Sequence, residues 1–147
     1  MGLCPSPRDT LNTTMTSIVD QIKWDKDPHG LVPAVVQDAD TKDVLMLGFM
    51  NRDALEITMR GRKVTFWQRS RQKLWTKGET SGNTLNFVGL RVNCNNDSLL
   101  VLARPVGATC HTGHPTCYYR EAQHEGDDWR TITEAQFDPE QVYGSRP

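Results

Sequence analysis

Residues 33–50 read PAVVQDADTKDVLMLGFM, in which two apolar runs flank a polar turn from Asp38 to Asp43. The β-branched and aromatic residues of these runs favour extended strands, and the polar turn between them is typical of a hairpin. The next segment, NRDALEITMR, predicts a helix that Asn51 caps and Gly61 ends. Asparagine accepts the first free amide hydrogens of a helix, and glycine suits the turn that ends one.

Outward from this hairpin, four more runs have strand character. They are KVTFWQ (63–68), TLNFVGL (84–90), SLLVLA (98–103) and TCYYRE (116–121). Upstream, LNTTMTSIVDQIKW (11–24) carries apolar residues at helical spacing, which predicts a short helix. We therefore expect a mainly β (α+β) fold with one or two helices.

The length of 147 residues is a usual size for one domain with its own hydrophobic core. We expect a single domain with a polar leader over 1–22, a core over 23–121 and a C-terminal tail over 122–147. The tail is polar and is expected to wrap the surface of the core.

The charge balance, 17 basic against 18 acidic residues, contains no block that would attract nucleic acid or an anionic membrane. A small-molecule partner is the better expectation. No apolar run approaches the ~20 residues of a membrane span, and the first residues lack the features of a secretory signal. These observations predict a cytoplasmic protein.

Three of the four cysteines, Cys94, Cys110 and Cys117, are spaced by 16 (110 minus 94) and 7 (117 minus 110) residues. This spacing matches no zinc ribbon, finger or redox motif. Three thiolates suit a catalytic Zn²⁺, which keeps three protein ligands and one position for water, better than a disulfide in a cytoplasmic chain. The alternative is that Cys94 and Cys117 pack in strands as small hydrophobic side chains.

Two histidines lie in the same stretch, GATCHTGHPTC (107–117). His111 adjoins a candidate zinc ligand, so it is a candidate to transfer a proton near the metal. His114 precedes a proline and is expected to be exposed to solvent.

The segment QRSRQKLWTKGETSGN (68–83) combines cationic side chains with glycines whose backbone can approach an anion closely. It predicts a binding site for phosphate groups, and two tryptophans nearby could stack on a base or simply fill the core. The residues expected to bind substrate are Trp67, Arg69, Arg71, Lys73, Trp75, Lys77, Gly78, Glu79, Ser81 and Gly82. Solvated charges on a strand edge are the alternative interpretation of the basic residues.

Three stretches together resemble the phosphoribosyl-AMP cyclohydrolase family of histidine biosynthesis. They are GLVPAVVQDADTKDVLMLGFMN, TFWQRSRQKLWTKGETSGN and NCNNDSLLVLARPVGATCHTGHPTCYY, within about residues 24–120. The resemblance implies a zinc hydrolase that opens the adenine ring of phosphoribosyl-AMP between N1 and C6. It also implies a barrel-like subunit in an intertwined homodimer, with the active site at the interface.

In that family, zinc is held by three cysteines that align with Cys94, Cys110 and Cys117, the first coming from the opposite subunit. The family pattern Asp-Cys-Asp-x-Asp, whose carboxylates bind Mg²⁺, is here changed to Asn93-Cys94-Asn95-Asn96-Asp97. An amide keeps an oxygen ligand but loses the negative charge, so Asn93, Asn95 and Asp97 predict a degenerate magnesium site.

Two other functions stay open at this point. The amides favour a zinc-dependent paralogue acting on another heterocycle, and a non-catalytic homologue could keep zinc only to join two subunits. Only 30 residues follow Cys117 (147 minus 117), so we expect no activity on phosphoribosyl-ATP.

Overall fold

The computed structural model describes residues 18–123, 126 and 128–139. The leader as far as residue 17 and the last part of the tail lie outside these residues. The described chain starts with helical residues 18–21 and a 3-10 turn, Trp24–Lys26. The elements that follow are β1 (Val32–Asp38), β2 (Val44–Met50), α1 (Arg52–Gly61), β3 (Thr65–Gln68), β4 (Lys73–Thr76), β5 (Leu85–Val92), β6 (Leu99–Pro105), β7 (Arg120–Ala122) and β8 (Trp129–Thr131).

The predicted hairpin is confirmed, with β1 and β2 antiparallel in a register that pairs Val32 with Met50. The predicted helix is confirmed as well. The Asn51 side chain accepts a hydrogen bond from the Ala54 amide over 2.8 Å, and α1 ends at Gly61. Local sequence chemistry therefore determines this part of the fold.

The central sheet has the order β2-β1-β6-β5, in which β1 and β6 run parallel and the two outer pairs are antiparallel. The barrel-like closure implied by the resemblance is wrong for the described chain, since β2 and β5 are the outer strands of an open four-stranded sheet. Only a single bridge, Lys63 with Asn86, extends the β5 edge, and the β3–β4 hairpin pairs with itself. Main-chain pairing therefore does not continue around the molecule.

The hydrophobic core lies between this sheet, α1 and the β3–β4 hairpin. Alternate residues of β1 and β6 point into it, as the two-residue period of a strand requires. The largest fully buried side chains are Met50, Leu55, Leu85, Leu99, Val19, Val32, Val36, Val64, Val101, Thr58 and Thr109.

The predicted strand 116–121 is mostly wrong, because β7 begins only at Arg120. Residues 116–117 instead bind the start of β2: the Thr116 hydroxyl donates to the Val44 carbonyl over 2.6 Å, and the Cys117 amide donates to the Leu45 carbonyl over 2.8 Å.

The tail contains one element that the sequence did not predict, the short strand β8, which pairs with β7.

In the residues that the structure describes, no helix is long and apolar enough to cross a membrane.

Candidate active site

An open cleft of about 590 Å³ lies between the β3–β4 hairpin, the loop after it and the loop after β6. Nine of its lining residues were predicted as site residues: Arg71, Lys73, Trp75, Lys77, Gly78, Glu79, Ser81, His111 and Cys117. Its other lining residues are Met46, Gln68, Thr80 and Thr109. Segments distant in sequence thus share one cleft, although their roles stay predictions.

Two thiols, those of Cys110 and Cys117, lie beside each other at one end of this cleft, and Cys117 lines the cleft itself. A tight turn holds Cys110, because its amide donates to the His114 carbonyl and its carbonyl accepts the Gly113 amide, both over 3.0 Å. The Thr112 hydroxyl donates to the Cys110 Sγ over 3.0 Å. Cys117 is fixed from the other side by its backbone bond to β2. The fold therefore presents a pair of thiols as one unit.

The pKa of the Cys117 thiol is raised to about 12, first by desolvation and then by the neighbouring Cys110 thiol. Lys77 is almost completely buried beside both, and burial lowers its pKa while the two thiols act to raise it. Two thiolates this close repel each other unless a cation lies between them. A buried lysine and a pair of thiols are thus the ionisable groups at this end of the cleft.

Close packing around Asn83 involves both loops that border the cleft. Gly78 has a φ of +82°, and an added Cβ would lie 2.3 Å from the backbone carbon of Asn83. Gly107 has a φ of +76°, and a Cβ there would lie 2.5 Å from the Asn83 side-chain oxygen. Asn83 therefore lies against both glycines. A side chain at position 78 would require the backbone to move, a side chain at position 107 would displace the Asn83 side chain, and the positive φ disfavours either substitution.

The two histidines of the second loop have different surroundings. His111 is exposed and lines the cleft, where it can exchange protons with a bound molecule. His114 was expected to be exposed, and this is wrong: its ring stacks on Tyr119 with centroids 3.9 Å apart, and its Nδ1 lies 2.7 Å from the Thr133 hydroxyl. His114 thus has a structural environment, which leaves His111 as the histidine of the cleft.

Comparison with known proteins assigns the chain to a family. The family model described as phosphoribosyl-AMP cyclohydrolase matches residues 46–119. The chain belongs to the phosphoribosyl-AMP cyclohydrolase family. A phosphoribosyl-AMP cyclohydrolase of Chloroherpeton thalassium is 39% identical over 127 residues, 86% of this chain and 89% of that protein. A phosphoribosyl-AMP cyclohydrolase of Chlorobium phaeovibrioides is 40% identical over 130 residues, 88% of this chain and 93% of that protein.

Longer relatives match as well. The histidine biosynthesis bifunctional protein HisIE of Photobacterium profundum is 51% identical over 107 residues, which is 73% of this chain and 51% of that protein. The chain thus spans about half the length of the bifunctional relatives that it matches. The family assignment agrees with the resemblance inferred from the motifs.

Several predicted site residues of this family member lie outside the cleft. Trp67 and Gly82 do not line it, and the Arg69 guanidinium lies 3.9 Å from the centroid of the Phe49 ring. Arg69 instead lines a smaller pocket of about 310 Å³ that it shares with Asp97.

The third cysteine lies far from the thiol pair. Cys94 is exposed in the loop before β6, whereas Cys110 follows the end of β6. A strand of seven residues separates the loops by roughly 20 Å at about 3.3 Å per residue. Within the described residues, no three His, Cys, Asp or Glu side chains come together closely enough to hold a metal ion.

Sequence reasoning missed four cleft residues, of which Thr109 is the most informative. Its hydroxyl is buried and is the one buried side-chain nitrogen or oxygen of the described chain without a hydrogen-bond partner. Its position next to Cys110 was the available signal. Gln68 and Thr80 adjoin predicted residues in the basic segment. Met46 belongs to the apolar run of β2, and nothing in the sequence distinguishes it from an ordinary core residue.

Proposed function

We propose that this protein hydrolyses phosphoribosyl-AMP in histidine biosynthesis, opening the adenine ring between N1 and C6. One observation carries the proposal: a single cleft is lined by Cys117, His111 and the basic residues of the β3–β4 hairpin, and the Cys110 thiol lies beside Cys117. Its volume of about 590 Å³ is within the usual range of a small-molecule site. The names of the relatives in this family support the same reaction.

The thiol pair fits a zinc ion, because two soft sulfur ligands already lie side by side. We propose that Cys110 and Cys117 bind it together with Cys94 of a second copy of the chain. The strand between the two loops favours this shared site, since its length keeps Cys94 of the same chain away. Zinc bound there would supply a Lewis acid that lowers the pKa of water to about 7.

The cationic side chains of the cleft suit the phosphate of the substrate. Arg71 and Lys73 are exposed at the hairpin, where they can bind a phosphate without a large desolvation penalty. Lys77 is buried beside the thiols and adds positive charge deeper in the cleft. Trp75 lines the same space and offers a flat surface to the purine.

His111 has the position for proton transfer. In the proposed reaction, the oxygen of water forms a bond to C6, the C6–N1 bond breaks, and N1 takes a proton. An exposed imidazole at the edge of the cleft can accept the proton that water loses and return it to N1. The atoms of one water molecule are thereby divided between the two ends of the opened ring.

The test is an assay of the purified full chain, loaded with zinc, on phosphoribosyl-AMP. We expect a product heavier than the substrate by one water molecule, and a loss of roughly 100-fold or more in turnover for His111→Ala with zinc retained. His29→Ala, which changes a histidine outside this cleft, is the matched control. A zinc-bound dimer without turnover would instead support a structural role for the metal, and turnover on another heterocycle alone would support a paralogue.

A further inference from the structure

The loop between β5 and β6, residues 93–98, has a closed hydrogen-bond network. The Asn93 side-chain oxygen accepts the backbone amides of Asp97 and Ser98, each over 2.9 Å. Its amide nitrogen donates to Asp97 Oδ1 over 2.6 Å. The second oxygen, Oδ2, accepts from the Lys26 ammonium over 2.9 Å. Both oxygens of the one carboxylate in this loop are therefore already bound.

The other side chains of the loop do not provide the oxygen ligands that Asp97 cannot offer. A carbonyl oxygen has two lone pairs, and both of those on the Asn93 side chain are used by backbone amides. The nitrogen of the same amide carries only hydrogens, which a cation repels. Asn95 is exposed and neutral. Mg²⁺ needs several oxygen ligands and favours carboxylates, so these residues do not fit the magnesium ion that the family implies.

The charge of the loop is also balanced without a metal. The side chains at positions 93 and 95 are uncharged, and the single negative charge of Asp97 is matched by the positive charge of Lys26. The pKa of Asp97 lies below its usual value because the Asn93 amide and then the Lys26 ammonium bind the ionised carboxylate. No net negative charge is left there to attract a divalent cation.

We propose that Lys26 provides, from within the chain, the positive charge that Mg²⁺ would provide at this loop, and that the protein therefore works without a divalent cation there. The amide at position 93 and the lysine act together, since the amide orients Asp97 toward the ammonium. This inference depends on the loop and not on the proposed reaction, so each can fail without the other.

Backbone contacts support the placement of Lys26. The 3-10 turn that contains it is tied to the same loop, since the Lys23 amide donates to the Asn96 carbonyl over 2.8 Å. The Asn96 side-chain amide donates back to the Gln21 carbonyl over 3.0 Å. The lysine therefore approaches Asp97 from a segment that is itself fixed to the loop, not from a free surface chain.

The experiment measures Mg²⁺ binding by calorimetry and by the shift in melting temperature, with matched ionic strength. The chains compared are the native protein, the Asn93→Asp/Asn95→Asp variant, and that variant with Lys26→Met added. We expect no binding heat and a melting shift below about 1 °C for the native chain at millimolar Mg²⁺. The variant with both acidic residues should bind Mg²⁺, and removal of Lys26 should tighten this binding by at least about 10-fold.

Lys23 gives a matched control, because it lines the same pocket as Lys26 and carries the same charge. Lys23→Met in the acidic background should tighten Mg²⁺ binding far less than Lys26→Met does. Equal effects of the two lysines would overturn the proposal, since general electrostatics would then explain them. Native binding of Mg²⁺ with a dissociation constant below about 1 mM would overturn it as well. Calorimetry on the native chain decides this even where a variant fails to fold.

Discussion

Residues 93–98 and residues 107–117 are both polar loops that adjoin β6, one before the strand and one after it, yet they use their side-chain atoms in opposite ways. In the first loop, Asn93 and Asp97 bind each other, backbone amides and Lys26. In the second loop, the Cys110 and Cys117 thiols lie beside each other, and the Thr109 hydroxyl has no hydrogen-bond partner. The Asn93 and Asp97 side chains of the first loop are fully used by hydrogen bonds, whereas the second loop has a thiol pair and a buried hydroxyl available to a ligand.

The difference shows which kind of loop is prepared to bind something. A buried polar group without a partner costs about 1–3 kcal/mol, so such a group in a native protein indicates a functional role or a partner such as water, an ion or a ligand. A loop whose polar atoms already have partners must break those bonds before it can coordinate a metal. We therefore expect a metal ion to be bound mainly by the second loop, with the Cys94 thiol as the one ligand proposed from the first.

The largest effect should come from the thiol pair. Cys110→Ala or Cys117→Ala should lose the proposed zinc, about one ion per subunit, and with it at least about 100-fold of the activity. Cys4→Ala, which removes a thiol outside the stretches that carry the resemblance, should keep both. Metal analysis and the phosphoribosyl-AMP assay measure the two quantities, and a full zinc content in both variants would contradict the assignment of these ligands.

A second prediction links the two loops through Cys94. Cys94→Ala and Cys110→Ala chains should each be inactive, but an equal mixture should recover about one quarter of native activity. Half of the dimers then contain both variants, and one of their two sites has all three cysteines. Subunit exchange must first be confirmed by mass spectrometry of differently tagged chains. If exchange occurs and no activity returns, the site is built within one chain.

The closed loop should lose stability when its central side chain is removed. Asn93→Ala deletes the acceptor of two backbone amides, so the free energy of unfolding should fall by about 1 kcal/mol, or about 2–4 °C in melting temperature. Asn95→Ala should change it by less than about 0.5 kcal/mol, because that side chain is exposed. Equal losses for the two asparagines would mean that the network contributes nothing of its own.

The open loop should respond in the opposite direction. Thr109→Val removes a buried hydroxyl that has no hydrogen-bond partner. The free energy of unfolding of the ligand-free protein should therefore stay the same or rise by less than about 1 kcal/mol. Binding of substrate should weaken. Thr58→Val is the control, since the Thr58 hydroxyl binds the backbone of Thr65 and its loss should cost about 1–3 kcal/mol. Denaturant unfolding measures both, and a similar loss in the two variants would show that Thr109 has a hidden partner.

The smallest effect concerns pH. The folded-state pKa of Asp97 is lowered, so its ionised carboxylate stabilises the fold. This contribution is fully present above the unfolded-state pKa of about 3.9, and it disappears as the pH falls through the lower folded-state pKa. Asp97→Asn should therefore melt below the native chain at neutral pH and approach it in acid. A constant difference for Asp97→Asn at all pH values would contradict the linkage.

Local patterns predicted the hairpin, the capped helix and three of the four later strands, because each depends on neighbouring residues. They did not predict β4, β8 or the irregular path of residues 116–119. The Lys73–Thr76 stretch is largely polar, and it forms a strand because β3 lies beside it. Thr116 and Cys117 leave extended pairing because their hydrogen bonds go to the start of β2, 71 or 72 residues away.

The sequence by itself determined the family, the strands around the 33–50 hairpin and the residue types of the site, since motifs and side-chain chemistry are local properties. Only the tertiary structure decided which of those residues meet. It brought Cys110, Cys117 and Lys77 close to one another, kept Cys94 at the other end of β6, and set Lys26 against Asp97. These outcomes depend on the length of β6 and on packing between distant segments, and neither can be read from the order of residues alone.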